Sequence, residues 1–269
     1  WVTLFHWDFP QALQDEYKGW LSRKSVYDFA AFAALMARTL GDRVTHWFTM
    51  NEFFCFTDKS SLLHEFAPDF AATKKQAAQI RHHALLAHGM AVKAIRQNSP
   101  GPSQVGVAEN PNCTIPVIET PEHIDAARKA FREINRYFLV PLMEGAYDEH
   151  YIASLGAAAP DIEEGDMQTI AVKLDFFGLN MYTPVYVRAN EAGGYEIIDH
   201  ADDHPRAKPQ WLRINPAIGY WTTRFIHELY RVDAIYITEN GCAFEDALTE
   251  KGEILDTARV MYLREHLRG

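Results

Sequence analysis

The order of its apolar segments constrains this chain most. Five short runs of strand character, starting at Trp1, His46, Gln104, Asp175 and Ala234, alternate with stretches of helical periodicity. That alternation implies an α/β fold, a parallel sheet joined by right-handed crossovers. Parallel α/β folds keep their chemistry at the C-terminal strand ends. Here those ends carry His6 and Trp7, Asn51 and Glu52, Glu109 and Asn110, Asn180 and Tyr182, and Glu239.

The intervening helices are legible from spacing and caps. Val26, Phe29, Ala33, Met36 and Leu40 recur at intervals of three and four, with Ser22 expected as N-cap and Gly41 as the stop. Thr73 to Gln76 reads as a capping box ahead of a helix carrying Ala77, Ile80, Ala84, Ala91 and Ile95. Pro121 opens another, with Ile124, Ala127, Phe131, Ile134 and Phe138 on one side. Asp166 is expected to cap a short helix to Lys173, and helices are expected from Pro216 to Arg231 and from Asp256 to Leu267. The polar stretch 190–208, broken by Gly193-Gly194, reads as a surface excursion with the marks of a hairpin. At 269 residues and 48% hydrophobic, the chain suits one α/β barrel of roughly 250 residues. A single domain over 1–269 is expected.

Two strand ends stand out. Ile235-Tyr236-Ile237-Thr238-Glu239 stops at once in Asn240-Gly241, and His46-Trp47-Phe48-Thr49-Met50-Asn51 closes on Glu52. Two carboxylates at the open ends of parallel strands are what glycoside hydrolysis needs, one as acid and base, the other as nucleophile or base. Either Glu alone would read as a solvated residue at a loop mouth.

Charge and composition remove other classes. A net charge of -10 argues against a phosphate-binding surface, so no nucleic-acid partner is expected. The longest apolar run, Phe29 to Ala37, falls well short of the roughly 20 residues that span a bilayer, so no membrane partner is expected either. Cys55, Cys113 and Cys242 form no metal spacing and no even disulfide set, which favours a reducing, cytoplasmic setting. His82, His83 and His88 lack a His-Glu-x-x-His pattern and read as solvated helix-surface residues, so neither a metal nor a cofactor is expected. Oligomeric state stays open.

Thr3-Leu4-Phe5-His6-Trp7-Asp8-Phe9-Pro10-Gln11, Thr49-Met50-Asn51-Glu52, Phe177-Gly178-Leu179-Asn180-Met181-Tyr182 and Ile235 to Gly241 closely resemble glycoside hydrolase family 1, the β-glucosidases. The resemblance implies a (β/α)8 TIM barrel, present here only in part, about strands 3 to 7 with their helices. It implies a retaining β-glucosidase acting on a small-molecule β-glucoside or oligosaccharide. Matched residue by residue, Glu52 takes the acid/base role and Glu239 the nucleophile role. His6 and Asn51 match positions that hydrogen-bond the bound sugar, Trp7 one that lines its pocket, and Tyr182 the tyrosine that hydrogen-bonds the nucleophile. Asn110 resembles an asparagine near the leaving-group side, and Asn180 belongs to the strand-end motif before Tyr182.

Two departures accompany the likeness. The family usually has Pro after the acid/base Glu, whereas Phe53 stands here, freeing a backbone N–H and relaxing Glu52's φ/ψ. In family terms strands one, two and eight are missing, with a Gln, two Trp and a Glu expected to hold the sugar. A sugar-binding member that has lost catalysis is expected to lack one carboxylate; both are present. An inert piece of the fold is the remaining alternative, and it turns on chain length.

Overall fold

The computed structural model describes residues 1–268. From the N-terminus come β1 (Val2–Phe5), α1 (Gln11–Tyr17), α2 (Lys24–Leu40) and β2 (His46–Asn51). Then follow α3 (Phe53–Ser61), α4 (Lys74–Asn98), β3 (Gln104–Glu109) and β4 (Cys113–Pro116). Next are α5 (Pro121–Ile134), α6 (Leu139–Glu144), α7 (Glu149–Leu155), α8 (Asp166–Ile170) and β5 (Phe176–Asn180). The last part holds β6 (Pro184–Ala189), β7 (Tyr195–Ile198), α9 (Ile218–Tyr230), β8 (Ile235–Glu239) and α10 (Thr257–His266).

All five expected strands form, and they make one open sheet in the order β1, β2, β3, β5, β8, with β1, β2 and β3 paired in parallel. A second sheet pairs β4 with β6 in parallel and β6 with β7 antiparallel. The chain divides into two compact units. The first comprises Trp1–Glu109, Arg136–Gly178 and Ala234–Tyr236; the second comprises Asn110–Asn135, Leu179–Asp233 and the described residues from 237 onward.

In the first unit β2 is buried on both faces, as a parallel strand covered by helices should be: Trp47 to Asn51 are all buried. Phe5 meets the rings of Trp20, Phe29 and Phe56 edge-on, with centroids 5.3, 6.0 and 4.9 Å away. β5 approaches β3 so closely that a Cβ on Gly106 would lie 2.4 Å from the Phe176 ring, which requires glycine there.

The capping box of α4 forms as the sequence predicts, Thr73 Oγ1 accepting the Gln76 N–H and Gln76 Oε1 accepting the Thr73 N–H. The expectation that His82, His83 and His88 face solvent is wrong. Helices α2, α3 and α8 all pack on α4, and its buried set runs round most of its circumference. His83 Nδ1 donates to the Trp20 carbonyl at 3.0 Å, and His88 Nδ1 lies 2.5 Å from Thr49 Oγ1. Burial pulls His83 down to about 4 and His88 to about 3.

Two cap assignments also need correcting. The residue before α2 is Arg23 rather than Ser22, whose Oγ accepts the Lys24 N–H one position further out. Gly165, not Asp166, precedes α8. The Asp166 carboxylate instead joins Arg23 and His82, at 2.5 and 2.9 Å, and although burial opposes it these partners hold its pKa well below the carboxylate range.

In the second unit α5 buries Ala126, Ala127, Ala130 and Phe131, and Phe131 meets Phe225 of α9 at 5.9 Å. The polar excursion contains the turn of the β6–β7 hairpin. Asn190 Oδ1 accepts the N–H groups of Ala192 and Gly194, and Gly193 takes φ 74°.

Candidate functional site

The first unit assembles one half of the expected site from two strand tips. Phe48 pairs with Gly106 but Asn51 with Ala108, so β2 holds one residue more than β3 over that interval. Such a bulge re-aims a strand end. It delivers Asn51 and Glu52, only 2% and 5% exposed. Glu52 has φ 50° and ψ 78°, a left-handed conformation that costs a residue with a Cβ on the order of 1 kcal/mol. Its N–H donates to the Ala108 carbonyl at 2.9 Å, and its Oε2 accepts the Cys55 thiol at 3.1 Å. Burial, with the Glu52 carboxylate beside it, pushes that thiol above its ordinary range, so it stays S–H.

The tip of β1 closes on Asn51. The Trp7 indole N–H donates to the Asn51 carbonyl at 2.9 Å, and the Asn51 amide lies 3.3 Å from His6 Nε2. Trp7 is half-buried against Phe66, with ring centroids 5.1 Å apart, whereas His6 is exposed. His6, Trp7, Asn51 and Glu52 are thus brought together.

The second unit gathers Asn180, Tyr182 and Glu239. Glu239 ends β8 and is half-buried; its Oε2 accepts the Tyr182 hydroxyl at 2.6 Å. Asn180, fully buried, accepts the Thr238 hydroxyl at 2.6 Å and so fixes the residue before Glu239. The Asn240 amide donates to the Met181 carbonyl at 2.8 Å and to the Tyr262 hydroxyl at 3.0 Å, holding the turn after β8. Burial pushes Tyr262 up to about 12, which keeps that hydroxyl neutral. Glu239 opens into a cleft of about 530 Å³ lined also by Tyr182, Trp211, Leu212, Asn240 and Cys242. Asn110, half-buried, follows the end of β3.

Residues 1–269 match the sequence model of Glycosyl hydrolase family 1. The chain belongs to this family. "Beta-glucosidase A" of Thermotoga maritima is 32% identical over 268 residues, covering 99% of this chain and 59% of that protein. "Beta-glucosidase" of Agrobacterium sp. is 33% identical over 270 residues, covering 99% of this chain and 58% of that protein. The solved structure of the Thermotoga maritima β-glucosidase in complex with deoxynojirimycin superposes with a TM-score of 0.84 at 32% identity, over 99% of this chain and 60% of that one. The chain therefore spans about 59% of the length of the curated relatives it matches. Its fold class is that of the family 1 (β/α)8 barrel, of which it holds part as an open parallel α/β sheet.

This family 1 chain also holds two residues near the proposed catalytic groups to which the sequence alone assigned no role. Trp211, 61% exposed, stands in the cleft with its ring edge-on to Tyr182. A lone Trp at the end of a polar loop was its only signal. Glu109, 3% exposed, accepts the Phe53 N–H at 3.0 Å. Its signal was a third strand ending on a carboxylate. Among the described residues no helix is long and apolar enough to cross a membrane.

Proposed function

We propose that the chain carries the catalytic residues of a retaining β-glucosidase that removes terminal β-D-glucosyl residues from aryl glucosides or short oligosaccharides. Glu239 attacks the anomeric carbon while Glu52 protonates the departing oxygen; Glu52 then takes a proton from water as that water displaces Glu239. His6 and Asn51 bind sugar hydroxyls, and Trp7 lines the pocket. Asn180 supports the Glu239 strand end, Asn110 lies towards the leaving group, and Trp211 offers that group a flat apolar wall.

The observation that carries this reading is the setting of Glu239. A carboxylate at a strand tip accepts a tyrosine hydroxyl at 2.6 Å and faces an open cleft walled by an exposed indole. The hydroxyl holds that carboxylate in one orientation at the strand tip. The likeness to a β-glucosidase solved with deoxynojirimycin supports a glycosyl-sized ligand.

Azide tests both roles. Glu239→Gly abolishes hydrolysis of an aryl β-glucoside, and azide restores it with the α-glucosyl azide as product. Glu52→Ala with azide gives the β-glucosyl azide. A reversed pattern of products overturns the assignment. The chain spans about 59% of the length of the relatives it matches, which favours a second reading in which it does not turn sugar over by itself. No release of the aryl alcohol by the unmutated chain selects it.

A further inference from the structure

Phe53 is the first residue of α3, and its N–H is one of the donors that a helix start leaves without an intrahelical partner. It donates to the buried carboxylate of Glu109 at the tip of β3. The preceding N–H, that of Glu52, donates to the carbonyl of Ala108. The peptide groups on the two sides of the Glu52 Cα are therefore anchored to consecutive residues of one strand. A left-handed Glu persists only where its surroundings hold it there. At the other end of the side chain, Cys55 donates its S–H to Oε2.

We propose that Glu109 and Cys55 are positioning residues for Glu52, the first fixing its backbone through the Phe53 N–H and the second fixing its carboxyl through Oε2. The inference rests on the acid/base role proposed for Glu52. A proline after Glu52 would fix its own φ, restrict the residue before it and present no N–H. With Phe53 in that place the lock passes to Glu109, whose buried carboxyl accepts the freed N–H at the start of α3. The thiol, kept as S–H by its burial, faces Oε2 with a hydrogen.

The test compares Glu109→Leu, Glu109→Gln, Cys55→Ala and Cys55→Ser in the full chain. Leu removes the acceptor for Phe53 and Gln keeps one; Ala removes the donor to Oε2 and Ser keeps one. Glu109→Leu raises amide hydrogen exchange at Phe53 about tenfold or more relative to β2 amides, and Glu109→Gln does not. Phenyl β-glucoside has a poor leaving group that needs the proton, and its kcat/KM falls roughly 10- to 100-fold in Glu109→Leu and Cys55→Ala. The 2,4-dinitrophenyl glucoside leaves unprotonated and stays within about threefold, and Glu109→Gln and Cys55→Ser return the phenyl substrate to that range. Equal losses on both substrates, no recovery in the conservative variants, or an unmoved Phe53 exchange rate overturns the proposal. Should Glu109→Leu fail to fold, the Cys55 pair decides through the same two substrates. If the unmutated chain hydrolyses neither substrate, the glucosidase reading fails and Phe53 exchange alone decides whether Glu109 holds Glu52.

Discussion

Tyr182 shows how one hydroxyl can set the chemistry of a strand tip. It gives Glu239 Oε2 a 2.6 Å hydrogen bond from a donor that is itself half-buried, while Met181 N–H holds the Glu239 carbonyl at 2.9 Å. A hydrogen bond to an ionised group contributes about 1.5–3 kcal/mol, and about 1.4 kcal/mol is tenfold in rate. Tyr182→Phe should therefore lower kcat/KM for an aryl β-glucoside roughly 10- to 100-fold while circular dichroism and the unfolding midpoint stay put. A loss under about threefold would mean that the hydroxyl is dispensable to the nucleophile. This residue was legible because it follows the end of β5 in a motif. Glu109 was not, since its work is to accept an N–H that exists only because residue 53 is not proline, and nothing in the local pattern at residue 109 records what stands at residue 53.

Elements were legible where an apolar run, an apolar stripe or a cap stands out from its flanks. The expected strands and the capping box at Thr73 fall within a residue of where those signals put them. Helix α3 escaped because Thr57, Ser60 and Ser61 are poor helix formers in water. All three are buried, and their hydroxyls donate to the carbonyls of Phe53, Phe56 and Thr57 four residues back, at 2.7, 2.6 and 2.5 Å. Tertiary burial overrides propensity there. The same closeness between elements makes β3 sensitive to a single methyl group. A Cβ at Gly106 would stand 2.5 Å from the Phe176 carbonyl as well as 2.4 Å from its ring. Backbone cannot step aside as a side-chain end can, so Gly106→Ala should destabilise the first unit by roughly 1–3 kcal/mol or more. Urea unfolding checks this; an unchanged midpoint would mean that β5 slides away without cost.

For the chain as a whole, the alternation of strands and helices carried the fold class, and the carboxylate-ended strands carried the candidate site. What the pattern could not carry was how many neighbours a helix has. One apolar stripe on α4 predicts one buried face; His88 lies within that stripe, yet His82 and His83 on its other faces are buried too. That arrangement ties stability to pH. An unfolded imidazole titrates near 6.5, whereas burial holds folded His83 near about 4 and folded His88 near about 3. Between those values the unfolded chain takes up protons that the folded chain refuses. The contribution of the two neutral imidazoles is whole above pH 6.5 and drains away as pH falls towards their folded values. At about pH 5 each has lost roughly 2 kcal/mol, taking about 1.4 kcal/mol per unit below the unfolded value. His82, also lowered by burial, adds a loss of the same sign. Asp166, held low by Arg23 and His82, adds its own loss only below the ordinary carboxylate range. Urea unfolding should therefore show a markedly lower free energy at pH 5 than at pH 7, and His83→Gln with His88→Gln should flatten that slope even though each variant is less stable at pH 7. Equal unfolding free energies at the two pH values for the unmutated chain would mean that these histidines are charged in the fold, and the burial that defines α4 would have to be abandoned.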